Sequence, residues 1–226
     1  MNSLLLSNSK RKHLLLLLIL QTKIYSSAMK KQIFFSVMGL LLTPYVLAYM
    51  LTDANGGGKI TKDIRRWLTV KHHEKYSNIQ GLVYLLLRYK EFRNVFLMRL
   101  PCAWRIVCFY LPPRSDLHIQ TASQYIGGGL YIGHGWGTVI NAKRIGENCL
   151  VGQNVTIGSR NVKTAILEDN VHVWAHAVVL GDITIGHDSD IGAGAIVVKS
   201  VPPHSVVVPA KSCIIRQDGK KCRIEL

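Results

Sequence analysis

One histidine, His134, sits between glycines in the run Gly-His-Gly-Trp-Gly at residues 133–137. An imidazole is well suited to taking a proton from a hydroxyl near neutral pH, and flanking glycines let a substrate approach the chain closely. His172 and His176 lie downstream. With His134 they would make a three-nitrogen zinc site, whose nitrogens must converge at tetrahedral angles. The two occupy different phases of the repeat described below and are expected to point in different outward directions, so no metal is expected. Arg160 and Lys163 share the stretch Ser-Arg-Asn-Val-Lys-Thr-Ala at 159–165; a guanidinium there can hold a carboxylate through two parallel hydrogen bonds. The five cysteines, Cys102, Cys108, Cys149, Cys213 and Cys222, are odd in number and include no Cys-x-x-Cys. Neither a disulfide framework nor a thiolate metal site is indicated, and a reducing compartment fits.

What must position these residues is a repeat. Counted back from Val197, an aliphatic residue recurs every six positions: Ile191, Ile185, Val179, Val173 and Leu167. The series takes on four extra residues and resumes at Ile157, Val151 and Ile145. Four positions after most of these rungs comes another small or apolar residue: Ala195, Ser189, Ile183, Ala177, Val171, Val155, Cys149. A period of six is neither helical nor a simple alternation; it is the mark of a β-helix, in which each hexad supplies a short strand and a turn. Three hexads close one triangular coil, and stacked coils bury a continuous aliphatic core. Cys149 falls on an inward position, where cysteine behaves as a small hydrophobe. Both chemistry-bearing stretches interrupt the ladder. Residues 133–137 depart from its phase, and the four-residue surplus makes 159–165 a protruding loop. Loops that interrupt a rigid scaffold are where function concentrates. Pro202, Pro203 and Pro209 are expected to stop the repeat, and the tail from Lys211 to Leu226 to leave it.

The chain has 226 residues and a net charge of +15. Residues 1–118 hold 18 Lys/Arg against 5 Asp/Glu, a net of +13; residues 119–226 hold 10 against 8, a net of +2. Basic residues beside apolar helices fit an anionic membrane surface, and no nucleic-acid-binding motif is present. Residues 1–28 read either as a cleaved leader or as an extension upstream of a start at Met29, and the second is favoured. Ile33 to Leu51 is free of formal charge and long enough to span a membrane. Pro44 interrupts it. A span, a helix lying in the interface and a helix docked on another subunit all remain open. Ile60–Trp67 and Ile79–Leu100 are predicted helices. In the second, Leu82, Leu85, Leu86, Tyr89, Phe92, Phe96 and Leu100 form an apolar stripe. Arg65, Arg66, Arg88, Arg93 and Arg99 lie nearby and are expected to be available to lipid.

The runs IGGGLYIGHGWGTVIN, IGENCLVGQNVTIGS and IGAGAIVVKSVPPHSVVVPAK resemble the serine acetyltransferase-like group of hexapeptide acyltransferases, including members that act in surface-polysaccharide synthesis. The resemblance covers about Leu117 to Arg216. It implies a mainly β fold, a left-handed parallel β-helix over 117–210. Residues 29–116 form a basic, apolar helical region before it, and 211–226 a C-terminal tail. It also implies an acetyl-CoA-dependent O-acetyltransferase without a metal, working in the cytoplasm as a homotrimer or a dimer of trimers, with the inner face of the membrane as a further partner. The acceptor hydroxyl belongs to L-serine or to a polysaccharide sugar.

The resemblance further implies roles for residues. His134 matches the catalytic base. Ala175 and Ala193 match small positions along which pantetheine runs, and Lys199 and Lys211 match basic positions near the cofactor's phosphates. Arg160 and Lys163 stand where the group carries an Arg-His pair for the acceptor. Departures are plain. Ile119 occupies the place of the aspartate that orients the base, although Asp116 and His118 are close by; Trp174 and Val207 replace smaller residues. The incomplete acceptor set weakens serine and strengthens a sugar. Two rivals stand beside this reading: a zinc-dependent enzyme on the same β-helix, as in some carbonic anhydrases, and a non-catalytic membrane-associated scaffold.

Overall fold

The computed structural model describes residues 29–30, 32–33, 36–55, 58–210 and 213–225; the leader-or-extension stretch 1–28 and Lys211 lie outside them. The described residues up to Thr43 belong to one unit, in which 36–41 are helical, and those from Pro44 onward to another.

Five helices open the second unit: α1 (Thr43–Asn55), α2 (Lys59–Val70), α3 (Asn78–Arg88), α4 (Lys90–Arg99) and α5 (Cys102–Val107). Their limits follow local chemistry. Pro44 stands in the first turn of α1, where its missing N–H costs nothing. Ser77 and Gln80 close a reciprocal capping box on α3. The predicted helix 79–100 is broken at Tyr89, which is extended (φ −124°, ψ 109°). The break lets Arg93, on the next turn, donate to the Leu86 and Leu87 carbonyls freed at the end of α3. The apolar stripe is core: Leu82, Leu85, Leu86, Phe92, Phe96 and Leu100 are all buried. The expectation that the arginines face lipid is wrong for two of them. Arg93 and Arg99 are buried and spend their donors on carbonyls or on Asp63. Among the described residues no helix is long and apolar enough to cross a membrane.

A parallel β-solenoid of about five coils follows. Its first face stacks Leu117–Ile119, Thr138–Ile140, Thr156–Arg160, Val178–Leu180 and Ile196–Val197. The second stacks Arg144–Ile145, Ile166–Leu167 and Thr184–Ile185, extended by single bridges from Ile126 and Val201. The third stacks Tyr131–Ile132, Leu150–Val151, His172–Val173, Asp190–Ile191 and Val206–Val207. The chain visits the faces in that order, and the hexapeptide period fits left-handed winding. All nine rungs of the ladder are buried, at 5% exposure or less. Each fully buried Val, Leu or Ile contributes roughly 1.5–3 kcal/mol, so the ladder supplies the core. Coils approach closely at the corners: a Cβ on Gly146 would lie 2.6 Å from the Asp169 backbone nitrogen. The prolines do not end the repeat after Val197. Val201 still pairs with Ile185, and Val206–Val207 with Asp190–Ile191, because Pro202 and Pro203 fall in a corner, where no ladder donor is needed. The tail is an antiparallel hairpin, Cys213–Gln217 with Lys220–Glu225, turned by Asp218 and Gly219 at positive φ.

Two of the five thiols, Cys108 and Cys149, are buried. Burial pushes Cys108 up to about 11 and Cys149 up to about 12, so both stay protonated and pack as hydrophobes.

Candidate functional site

The corner between the third and first faces carries a single column of residues. Ile132, Val151, Val173 and Ile191 are in register on successive coils. Two positions past each come His134, Gln153, Ala175 and Ala193, one per coil. Corner-to-corner bonds hold the turns together: His176 N to Gln153 O at 2.9 Å and Gly194 N to Ala175 O at 3.0 Å. His134, Ala175 and Ala193 are therefore brought to one edge. The edge is open. Ala193 is exposed, and a Cβ on Gly194 would meet nothing within 4 Å. Next to His134 in the column stands Gln153, and the methyls of Ala175 and Ala193 follow on the next two coils.

His134 stands on the enlarged turn of that corner. Eight positions separate Ile132 from its first-face counterpart Ile140, against six between Val151 and Ile157. The surplus makes the irregular loop expected at 133–137. His134 is exposed and takes φ 63°, with Gly135 and Gly137 also at positive φ. Beneath the loop, the buried Thr138 hydroxyl lies within reach of the Trp136 carbonyl (3.2 Å) and the Gly152 carbonyl (3.1 Å). Helix α4 braces it from the side: a Cβ on Gly135 would come within 3.1 Å of Glu91 Cγ. Asn94, also on α4, exchanges hydrogen bonds with Arg114 and so pins the lead-in to the first strand.

No carboxylate hydrogen-bonds the His134 ring among the described residues. Asp116 is committed elsewhere. Desolvation pulls its carboxyl upward, but the hydrogen bond from Arg114, further bonds from its own and the Gly137 backbone N–H, and the Arg114 charge outweigh it and hold the group below the usual range. Arg114 NH1 lies 3.1 Å from Asp116 Oδ1. His118 lies exposed on the first strand, level with Val139. The contact His134 does make, with Trp136, escaped the sequence reading, although the tryptophan was in plain view two residues away.

The other proposed site residues lie along a different edge. Arg160 and Lys163 face each other across a hairpin whose turn residues, Asn161 (φ 54°) and Val162 (φ 69°), are both left-handed. That hairpin, like Lys199, sits at the corner between the first and second faces. Lys163 is bound to Asp182 of the next coil at 3.0 Å, and that hydrogen bond, with the lysine's charge, holds the Asp182 carboxyl low. The Arg160 guanidinium has no hydrogen-bond partner among the described residues. Within one chain the first face separates Arg160, Lys163 and Lys199 from His134.

His172 and His176 do not converge on His134. His172 Nδ1 bonds Asp190 Oδ1 at 3.0 Å on the third face, and Trp174 Nε1 donates to the same oxygen at 3.1 Å, folding the indole back onto that face. His176 is exposed at the corner. Among the described residues one other group of ligand-type side chains clusters, His187, Asp188 and His204, at the corner between the second and third faces. Its atoms already satisfy one another: His187 Nδ1 is 2.8 Å from Asp188 Oδ2, and Asn170 holds the other carboxylate oxygen at 2.9 Å.

Residues 164–199 match the family described as bacterial transferase hexapeptide (six repeats). The serine acetyltransferase of Staphylococcus xylosus is 43% identical over 112 residues, which cover 47% of this chain and 51% of that protein. That of Bacillus pumilus is 39% identical over 106 residues, covering 45% and 49%. The chain thus matches about half the length of these curated relatives. Among solved structures, Entamoeba histolytica serine acetyltransferase 1 in complex with L-cysteine superposes with a TM-score of 0.54 at 20% identity, covering 83% of this chain and 78% of that one. At that identity the likeness speaks for the fold. The resemblance of the second half of this chain to hexapeptide-repeat serine acetyltransferases is therefore established.

Proposed function

We propose that this protein is an acetyl-CoA-dependent O-acetyltransferase with His134 as general base. The observation that carries the reading is the column of His134, Ala175 and Ala193 on one open corner, in a stretch similar to enzymes named serine acetyltransferases. Acetyl-CoA, when bound, supplies a thioester carbonyl for direct attack by the acceptor oxygen. His134 removes the proton from the acceptor hydroxyl and returns it to the departing sulfur, so no acyl-enzyme is required. Ala175 and Ala193 line the pantetheine, and Lys199 and Lys211 meet the cofactor's phosphates. Arg160 holds the acceptor, beside Lys163, whose ammonium is bound to Asp182.

His134, Ala175 and Ala193 occupy one corner of a single chain and Arg160, Lys163 and Lys199 another, and a homotrimer resolves this. If one copy presents its Arg160 corner to the His134 corner of the next, each site is completed between neighbours. The acceptor is L-serine, which the named relatives favour, or a sugar hydroxyl, which the missing histidine partner of Arg160 favours. Acetyl-CoA places the work in the cytoplasm, and the basic N-terminal half suits the inner face of an anionic membrane.

The test is to incubate purified protein with acetyl-CoA and either L-serine or a hexose acceptor and to follow free thiol. Thiol release with one acceptor, abolished in His134→Ala, is expected. No release with either would end the reading.

A further inference from the structure

A base needs its ring held in one plane, and among the described residues no carboxylate hydrogen-bonds the His134 ring. The imidazole of His134 instead stacks on the indole of Trp136, with ring centroids 5.4 Å apart and 24° between planes. The indole is itself fixed. Arg114 Cζ lies 5.5 Å from its centroid, a cation–π distance. Arg114 has little freedom to leave. Its NH1 reaches Asp116 Oδ1 at 3.1 Å, its Nε lies 3.4 Å from Glu91 Oε1, and its backbone N–H donates to Asn94 Oδ1 at 2.8 Å.

We propose that Trp136 is the positioning residue of His134, an indole clamped by Arg114 that fixes the imidazole plane in place of a carboxylate. This rests on the base role proposed above. A stacked ring sets orientation without accepting a proton from the imidazole, so both ring nitrogens stay free to serve the acceptor. Trp136 is 48% exposed and fills no core, so its replacement should leave the fold intact.

Two measurements test this. The first is spectroscopic and needs no turnover. In wild type the His134 ring protons should be shifted upfield by the indole ring current; in Trp136→Leu the shift should vanish, and in Arg114→Gln it should shrink. An unshifted wild-type resonance overturns the proposal. The second is kinetic. Trp136→Ala should lower kcat by about ten- to a hundred-fold, part of the ~10²–10⁴ a general base supplies, with KM for both substrates unchanged. Trp136→Phe should restore most of the rate. In a His134→Ala background, Trp136→Ala should add nothing. An unchanged kcat in Trp136→Ala, a loss confined to acceptor KM, or a second independent loss on top of His134→Ala each overturns the role. If His134→Ala abolishes turnover while Trp136→Ala leaves it intact, only this inference falls. If His134→Ala is fully active, the base assignment falls with it.

Discussion

Arg99 Nε donates to Asp63 Oδ2 at 2.9 Å, with both side chains only 2% exposed. The pair joins α4 to α2, and it does more. Asp63 Oδ1 also accepts the Gly129 and Leu130 N–H groups, and Arg99 NH1 donates to the Ile126 carbonyl. These residues lead directly into the strand Tyr131–Ile132, which ends two residues before His134. Burial pushes the Asp63 carboxyl upward, and the Arg99 charge, its hydrogen bonds and the two amides pull it back. Breaking one side of such a pair strands a charge in the core. Asp63→Asn or Arg99→Met is therefore expected to cost about 3–5 kcal/mol in urea unfolding. Asp63→Asn combined with Arg99→Met should cost less than the sum of the two single changes. A strictly additive double variant would show that the pair is not coupled.

Ala193 lies exposed in the proposed pantetheine channel. A large side chain there should block the channel without disturbing the core. Ala193→Trp is expected to weaken acetyl-CoA binding at least ten-fold by calorimetry and to leave stability within about 0.5 kcal/mol of wild type, as for other surface changes. Wild-type affinity in Ala193→Trp would remove the cofactor from this corner.

Among the described residues Arg160 has no side-chain partner and Lys163 has one, and the two should behave differently. A charge-assisted hydrogen bond to a carboxylate contributes roughly 1.5–3 kcal/mol. Arg160→Ala should therefore raise KM for L-serine by about ten-fold or more while leaving KM for an uncharged sugar alone. Lys163→Ala removes an exposed ion pair with Asp182, usually worth only ~0–1 kcal/mol, and should move either KM little. Equal effects of Arg160→Ala on a charged and an uncharged acceptor would dismiss Arg160 as a carboxylate ligand.

Asp116 supplies a pH test. Its folded-state pKa is held below the ordinary value, chiefly by Arg114 acting against desolvation. Its contribution is therefore present above the ordinary carboxylate range and is lost as pH falls through the lowered folded value. Below that point Arg114 loses an anchor and Trp136 should loosen. With Trp104 and Trp174 replaced by Phe, emission of the remaining tryptophans should change at a midpoint under the ordinary carboxylate range, and Asp116→Asn should abolish the change. A midpoint that ignores Asp116 would separate it from Trp136.

Much of the fold was legible because a solenoid is a local code. Whether Val173 or Leu167 faces inward depends only on phase, so counting in sixes found the core, the corner that carries His134, and the hairpin at 159–165. That count put Ala175 and Ala193 in equivalent positions, but His134 lies where the phase breaks, and only the strand register of Ile132 with Val151 aligns it with them. The helical half was harder. Periodicity located its apolar stripe but ran two helices together across Tyr89, since nothing local announces that break; the partners that reward it, such as Arg93 on Leu86 O, form only in the folded chain.

What the chain order determined alone was the prism, its interruptions and the histidine on one of them, because each of those depends on neighbours within a coil. What only the tertiary structure decided was which charges are used up and which stay free. Arg99 is buried on Asp63, Arg114 holds Trp136, Lys163 is tied to Asp182, and Arg160 is left open. Those pairings join residues far apart in sequence, and they depend on distances that packing sets and composition does not record.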